Sequence, residues 1–518
     1  MATHGANSRT FTHPDLGAEA LTALLRGADF DVGSRRMLRR SLLDTFDGRL
    51  HAAGLRLECQ HLGRVELILS DGGPINAHVA LGDVPSRLAD LPDGPFRARL
   101  APVVVDRALL PVLTVSERRS VAVRRDANGK TELTVVLHDQ VTRDGDTPVR
   151  PRWAVEVEEL EGYAKVARWA CEMLGSLGLE ECPQDLLLQA ASDAGVDLRG
   201  YDSSPAVPLD RDDAAGEGFR RVLVRLAEAI EANWAGTVDD VDAEFLHDLR
   251  VAVRRTRSVL TAAKHVLPGE KRQWFRTEFG WLGSATGPAR DLDVFVIEWP
   301  GYVEPLGSAT AALLEPVLAD IVGRRRGQHA TLAGVLRSER YRVLIEEWRL
   351  WLANRPAAPE SPKYAGKQLG GVVADLVAGA QRRLLDRGRA VCLGSPAEEL
   401  HALRKDAKKL RYLLECFGGV LATRPRKAFV QQLKALQDNL GEHQDAAVHA
   451  AQLLAFSRDL HRANETSTET LLAVGKLTEH LDRRRHAARQ EFAPRLAAYD
   501  SKQTARPLQE LLRSAAGR

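Results

Sequence analysis

The chain has 518 residues, 27% of them charged, and its 72 Lys+Arg against 70 Asp+Glu leave a formal net charge of +2. That length predicts two or more domains, each able to bury its own core. Five cysteines (Cys59, Cys171, Cys182, Cys392, Cys416) without a CxxC pair exclude a disulfide framework or a zinc ribbon, and a polar start with no run of about 18 apolar residues reads as cytoplasmic, with no membrane partner.

In chain order, residues 1–19 are expected to be a flexible terminus. Residues 20–200 then form a first domain that is mostly strand. LRLECQ (55–60), RVELILS (64–70), FRARL (96–100), VSERRSVAVRR (115–125), TELTVVLH (131–138) and WAVEVEEL (153–160) are short and β-rich, and turns such as DGG (71–73) and ANG (127–129) separate them. Their period-two alternation predicts a closed or strongly curved antiparallel sheet. Helices are expected over 162–178 and 183–195, and YDSSPAVPLDRDD (201–213) reads as a linker. From 214 to the end the periodicity is helical, with breaks near 300–308 and 355–371.

The helical part contains a duplication. HDLRVAVRRTR, His247 to Arg257, returns as HALRKDAKKLR, His401 to Arg411, and each is followed by an Asp, Asp291 and Asp445, after the same 44 residues (291 − 247 and 445 − 401). Leu249/Leu403, Arg250/Arg404, Leu260/Leu414, Phe275/Phe429 and Gly287/Gly441 share the 154-residue offset, giving halves of about 214–360 and 361–518. At about 100° per residue, His247, Arg250, Arg254, Arg257 and Lys264 fall on one stripe, and Leu249, Val253, Thr256, Leu260 and Leu267 fall opposite. In the second copy His401, Arg404, Lys408 and Arg411 oppose Leu403, Ala407, Leu410 and Leu414. Ordinary solvated faces mix signs. Here no acid lies between Arg250 and Lys264, and Asp406, the lone acid of the second stripe, lies off it. Residues 205–518 hold 48 Lys+Arg against 40 Asp+Glu, and the rest hold 24 against 30, so the basic part is C-terminal. Two uncompensated cationic faces point to a polyanion. The exchange of Arg254 for Lys408 suits dense charge better than bidentate forks.

The last 305 or so residues resemble a CHAD domain, a helical domain named for its histidines, through HDLRVAVRRTRSVL (247–260), WLGSATGPARDLDVFV (281–296), HALRKDAKKLRYLLECF (401–417) and LKALQDNLGEHQDAAV (433–448). The resemblance implies two four-helix bundles about a pseudo-twofold axis, a central basic groove or pore, and binding of inorganic polyphosphate. The contacts it implies are His247, Arg250, Arg254, Arg257, Lys264, Arg272, Arg276 and Arg290 in the first half. In the second they are His401, Arg404, Lys405, Lys408, Arg411, Tyr412, Lys427, Lys434, Gln437 and His443. Polyphosphate offers charge and no bases, so it needs cations and donors. Aromatics are 5% of the chain and the basic helices hold only Tyr412, a poor endowment for stacking nucleic-acid bases. Asp291 and Asp445 are expected to orient neighbouring arginines or cap helices. Localisation to polyphosphate granules is one role compatible with such binding. A scaffold that grips an acidic protein or nucleic acid is an alternative.

Residues 20–198 resemble a CYTH domain, the triphosphate-tunnel fold shared with thiamine triphosphatases and class IV adenylyl cyclases. The resemblance rests on residues 42–60, 116–141 and 153–162. The fold class expected is therefore α+β multidomain: an antiparallel β tunnel or barrel followed by an all-α domain. The family's opening Glu-x-Glu-x-Lys signature has no counterpart before Leu42, where only Glu19 stands. Glu156 and Glu158 supply the second acidic pair, and Arg56, Arg118, Arg119, Arg124 and Lys130 are the candidate tunnel cations. With half of the carboxylates absent, the expectation is a degenerate tunnel with no catalytic residues and no cofactor. Mg²⁺ or Mn²⁺ would be needed only if the tunnel were active, in which case it would be a triphosphate or nucleotide phosphohydrolase.

Overall fold

Alternating apolar and polar residues build a sheet in the first part of this chain, and helical periodicity builds bundles in the second. A computed structural model describes residues 8–13, 17–61, 63–71, 77–144, 147–148, 152–182, 185–354, 362–463 and 466–517. It divides into two units, Met1–Asp202 and Ser203–Arg518.

The first unit runs β1 (Ser8–Thr12), α1 (Ala18–Gly27), β2 (Asp31–Val32), β3 (Arg36–Asp44), α2 (Arg49–Ala52), β4 (Arg56–His61), β5 (Val65–Ser70) and β6 (Ala77–Leu81). It continues through α3 (Pro95–Val104), β7 (Leu110–Arg125), β8 (Thr131–Asp144), β9 (Thr147–Pro148), β10 (Arg152–Glu158), α4 (Ala164–Ser176), β11 (Glu180–Glu181) and α5 (Leu186–Asp193). The strands form one antiparallel sheet in the order β11-β1-β10-β8-β7-β3-β4-β5-β6, with β2 on β7 and β9 on β8. β11 and β6 end the sheet, so of the closed or strongly curved antiparallel sheet expected, the described residues form one that does not close into a barrel.

Two further expectations need correcting. The stretch 1–19, read as flexible, contributes β1, which pairs with β10 through Ser8↔Glu158 and Thr10↔Glu156; Phe11 is buried at the start of a core with Leu133, Val135 and Val155. FRARL (96–100), read as a strand, lies in α3, where Pro95 opens the helix and Phe96, Leu100 and Val104 repeat every four residues along its buried side.

Residues paired across strands share a face. One face carries Leu133, Val135, Leu137, Val155 and Val157 against α1 and α4, and Leu57, Cys59, Leu67 and Leu69 toward α2 and α3. The other is largely polar, with Arg40, Glu58, Glu117, His138, Glu156 and Glu158, and α5 packs over its apolar end at Leu42, Leu113 and Val115.

The second unit runs α6 (Ala215–Ala232), α7 (Trp234–Val238), α8 (Ala243–Ala262), α9 (Gly269–Ala285), α10 (Gly287–Val303), α11 (Ser308–Leu313), α12 (Glu315–Leu336) and α13 (Glu339–Ala353). It then continues with α14 (Leu369–Ala390), α15 (Ala397–Cys416), α16 (Thr423–Arg462), α17 (Thr468–Tyr499) and α18 (Lys502–Ala515). Helices α6, α8, α9 and α13 pack as one four-helix bundle and α14, α15, α16 and α18 as its counterpart. The starts of α6/α14, α8/α15 and α9/α16 are each 154 residues apart (369 − 215, 397 − 243, 423 − 269).

The backbone records the same two-fold relation. Ala215 N donates to Lys367 O, and Leu369 N, 154 residues on, donates to Asp213 O, 154 residues back; both bonds are 2.8 Å long. Gly216 N to Ala365 O and Gly370 N to Arg211 O form a second such pair. The units divide after Asp202, and within the stretch read as a linker, residues 211–213 are pinned by these bonds to α14 and its approach. The halves share a core in which Leu292, Phe295 and Ile321 meet Leu453, Leu477 and Leu481. They differ where Thr286 breaks the first half into α9 and α10, whereas α16 runs on unbroken for 40 residues. Among the described residues, no helix is long and apolar enough to cross a membrane.

Candidate functional site

Asp242 caps α8 by accepting from Glu244 N (2.9 Å) and Phe245 N (3.2 Å), which fixes where its helical stripes begin. Leu246, Leu249, Val253 and Leu260 are buried on one side of α8, and Leu400, Leu403, Leu410 and Leu414 do the same on α15. That leaves the two basic stripes over a common cavity of about 850 Å³. Of the expected contacts, His247, Arg250, Arg254, Arg257, Arg276, Arg290, His401, Arg404, Lys405, Lys408 and Tyr412 line it. So do Ser258, Thr261, Asp291, Val294, Lys409, Gln444, Asp445, Val448 and His449. The wall holds nine Arg and Lys against two Asp, a formal excess of +7 (9 − 2).

Helix α8 and the α9–α10 break hold the buried Arg250, whose Nη1 donates to Thr286 Oγ1 (2.7 Å) and Gly283 O (3.0 Å). Burial, reinforced by the charge of Arg254, lowers its pKa to about 10. In the second half the helix is unbroken, and Arg404 instead forms a two-pronged pair with Asp445 (2.9 and 3.2 Å). Arg290 donates to Ala243 O (3.0 Å), and burial lowers its pKa also. Burial, then the charges of Arg404 and Arg254, brings the Lys408 ammonium down to about 7. Burial and Lys405 lower the pKa of His401. Among the described residues, Arg254, Arg257, Lys405 and Lys408 have no carboxylate within ion-pair distance. His449 lies at the junction of the halves: its ring stacks on Phe295, 154 positions earlier (449 − 295), with centroids 4.6 Å apart, and its Nδ1 is 2.7 Å from the Tyr302 hydroxyl.

Seven expected contacts lie elsewhere. Arg411 donates to Glu415 Oε1 (2.5 Å) and toward Gln437 Oε1 (3.4 Å), which keeps both side chains off the cavity wall. Arg272 donates to Leu260 O. Lys264, Lys427 and Lys434 are exposed outside the cavity, and His443 is buried near Arg485 and Arg489. The sequence reading missed Lys409, Gln444 and His449 among others. The 154-residue offset applied to Arg290 and Phe295 finds the last two (444 − 290, 449 − 295).

In the sheet unit, Arg56 and Arg119 share the polar face with Glu156 and Glu158, but Arg118 and Arg124 point to the opposite face, where Arg118 is 3.6 Å from Asp139 and Arg124 lies over the Trp169 ring. Lys130 is exposed in the β7–β8 turn, near the Tyr163 ring. The face's centre is a residue the sequence reading passed over, Arg40, which donates to Glu58 (2.7 and 3.0 Å) and Glu117 (2.9 Å); His138 bridges Glu117 (2.7 Å) and Glu156 (3.2 Å). Burial opposes ionisation of Glu58 and Glu117, yet Arg40, and His138 for Glu117, hold both below the usual carboxylate range. A hard divalent cation needs uncommitted oxygens. Here Glu58 and Glu117 are engaged by Arg40, β1 (SRTFT) has no carboxylate, and no cluster of His, Cys, Asp or Glu among the described residues could hold a metal.

Residues 221–455, which include every residue lining the cavity, match the model of the CHAD domain. An uncharacterized protein of Mycobacterium tuberculosis (strain CDC 1551) is 25% identical over 408 residues, covering 74% of each chain. The solved CHAD domain from the plant Ricinus communis is 27% identical, with a TM-score of 0.47 over 57% of this chain and 95% of its own. For the sheet unit, HpAC1 from Hippeastrum, described as having a dominant triphosphatase activity, is 15% identical, with a TM-score of 0.27 over 38% of this chain and 99% of its own.

Proposed function

We propose that the CHAD domain at residues 221–455 binds inorganic polyphosphate in the cavity between α8 and α15. The observation that carries this reading is the convergence of cations from both halves on one concave wall, where among the described residues seven of the nine have no carboxylate at ion-pair distance. Such a wall stores like-charge repulsion and desolvation cost that a polyanion relieves. Tyr412 is the only Phe, Trp or Tyr on the wall, which disfavours bases stacked in series. The sheet unit is proposed to be non-catalytic, its interior acids matched by Arg40 and His138. Association with polyphosphate granules would follow from the same cavity.

The test is calorimetric titration of the full chain with long-chain polyphosphate at increasing salt. An excess of seven charges predicts a slope of log affinity on log salt of about −5, at about 0.7 per contact. Single-stranded DNA or RNA of equal charge should compete poorly. Equal displacement by nucleic acid, or by an acidic protein alone, would overturn the reading.

A pH dependence follows with a definite sign. Free Lys408 loses its proton through about pH 7, and neighbouring phosphates favour the charged form, so binding above that pH takes up a proton. Affinity is expected to fall between about pH 7 and pH 9, by up to about tenfold per unit for one linked proton. Titrations in buffers of different ionisation enthalpy count that proton. A pH-independent affinity with no uptake contradicts the assignment of Lys408.

A further inference from the structure

The two-fold relation sets Lys408 opposite in role to its equivalent. Position 254 in the first half is Arg, a delocalised guanidinium and a poor nucleophile, whereas position 408 in the second half is a primary amine. Lys408 is half-buried on α15, faces the cavity, and has Arg250 and Arg254 of α8 and Arg404 of its own helix close enough to perturb it, with Asp445 of α16 the acid among its main influences and, among the described residues, no carboxylate within ion-pair distance. Its neighbours differ. Lys405 and Lys409 are exposed, and Lys409 is paired with Asp406 at 3.2 Å. A small phosphate compound held by the guanidiniums is therefore held beside an amine, which is proximity of the kind that accelerates a bimolecular step.

We propose that Lys408 is a modification site for small acyl phosphates, which dock by their phosphate in the cavity and transfer the acyl group to Nζ, removing a cation from the polyanion site. The balance is simple. Neutral Nζ attacks the carbonyl carbon, the N–C bond forms, and the C–O bond to phosphate breaks; inorganic phosphate leaves among the arginines and the nitrogen's proton passes to it or to water. Burial, then Arg404 and Arg254, brings the free ammonium to about 7, so a large fraction is neutral at physiological pH, where an ordinary lysine is almost wholly charged. The acylated side chain keeps its length and loses its charge, so it acts on the site as a covalent off-switch.

The inference rests on the cavity being an anion site, and the experiment separates the two. The full chain is incubated with acetyl phosphate, with and without saturating polyphosphate, and acetylation is mapped by mass spectrometry while polyphosphate binding is measured by calorimetry on the same preparation. Acetylation of Lys408 is expected to be about tenfold or more faster than that of the exposed Lys427 and Lys434 outside the cavity, since it lies beside the docked phosphate and its ammonium is brought down to about 7. Polyphosphate should suppress it at Lys408 alone, and the acetylated protein, like Lys408→Gln, should bind polyphosphate about tenfold or more weakly. Polyphosphate binding without preferential labelling overturns this inference and leaves the binding function standing. Preferential labelling that polyphosphate neither blocks nor competes with, in a protein that binds none, overturns the function and the off-switch together.

Discussion

Arg254→Glu combined with Lys408→Glu is expected to weaken polyphosphate binding about a thousandfold. Each hydrogen bond to a charged partner contributes about 1.5–3 kcal/mol, so losing two removes roughly 3–6 kcal/mol before the new repulsion counts. Both side chains line the cavity, one from each half, and among the described residues neither has a carboxylate at ion-pair distance. Their reversal removes repulsion with Arg250 and Arg404 in the free protein, so thermal stability should hold or rise, as when a functional site stores strain. Arg411→Glu provides the contrast. Arg411 lies off the cavity against Glu415, so its reversal should lower stability and leave affinity nearly unchanged. Calorimetry and thermal melts on the three proteins decide the matter, and a double variant that still binds as tightly as wild type removes this site from consideration.

Arg40→Met is expected to destabilise the sheet unit by about 3–5 kcal/mol, because removing one partner of a buried pair leaves the other uncompensated. Two glutamates, Glu58 and Glu117, lose their common cation, and both are buried to within a few per cent. Replacing Glu58 and Glu117 by Gln together with Arg40→Met should recover part of the loss. The pH window follows from the same residues. The lowered pKa of Glu58 and Glu117 contributes stability that is present above the usual carboxylate range and lost on acidification. His138 has the opposite sign. Burial opposes its charging, but Glu117 and Glu156 raise its pKa, so its contribution is full below about 6.5 and lost as pH rises through the raised value. Protection of the β3, β4 and β7 amides in the full chain, taken relative to the intrinsic exchange rate at each pH, should therefore be greatest in weakly acidic solution. Exchange unchanged by Arg40→Met would show that the ion pairs do not hold the sheet.

Much of the helical site was legible from one number, the 154-residue offset, together with the helical angle. These indicated which stripes are buried and which are basic, while a common groove for the basic ones was what the resemblance implied; the backbone bonds at Ala215 and Leu369 repeat the same offset. Angle says which side of a helix a residue occupies, however, and not which cation a nearby acid will take. Arg257 lines the cavity because position 261 is Thr, whereas its equivalent Arg411 is drawn off by Glu415 at the matching place (415 − 261 = 154). Lys427 and Lys434 lie on the exposed part of α16. In the sheet, alternation identified β4, β5, β7, β8 and β10, but neither β3, whose RMLRRSLLD begins with charge and ends in adjacent leucines, nor β1, a five-residue strand whose only large apolar side chain is Phe11. Arg118 and Arg124 were assigned to the tunnel from their charge; their even positions in β7 put them on the face opposite Glu117. Arg40 drew no notice in sequence because its partners lie 18 and 77 residues away.

The most direct measurement is a crystal structure of the full chain soaked or grown with linear polyphosphate. The account predicts a continuous chain of phosphates between α8 and α15, with oxygens at hydrogen-bond distance from Arg254 and Lys408 on opposite walls. Polyphosphate ordered at some other surface, with those two side chains left facing water, would contradict it.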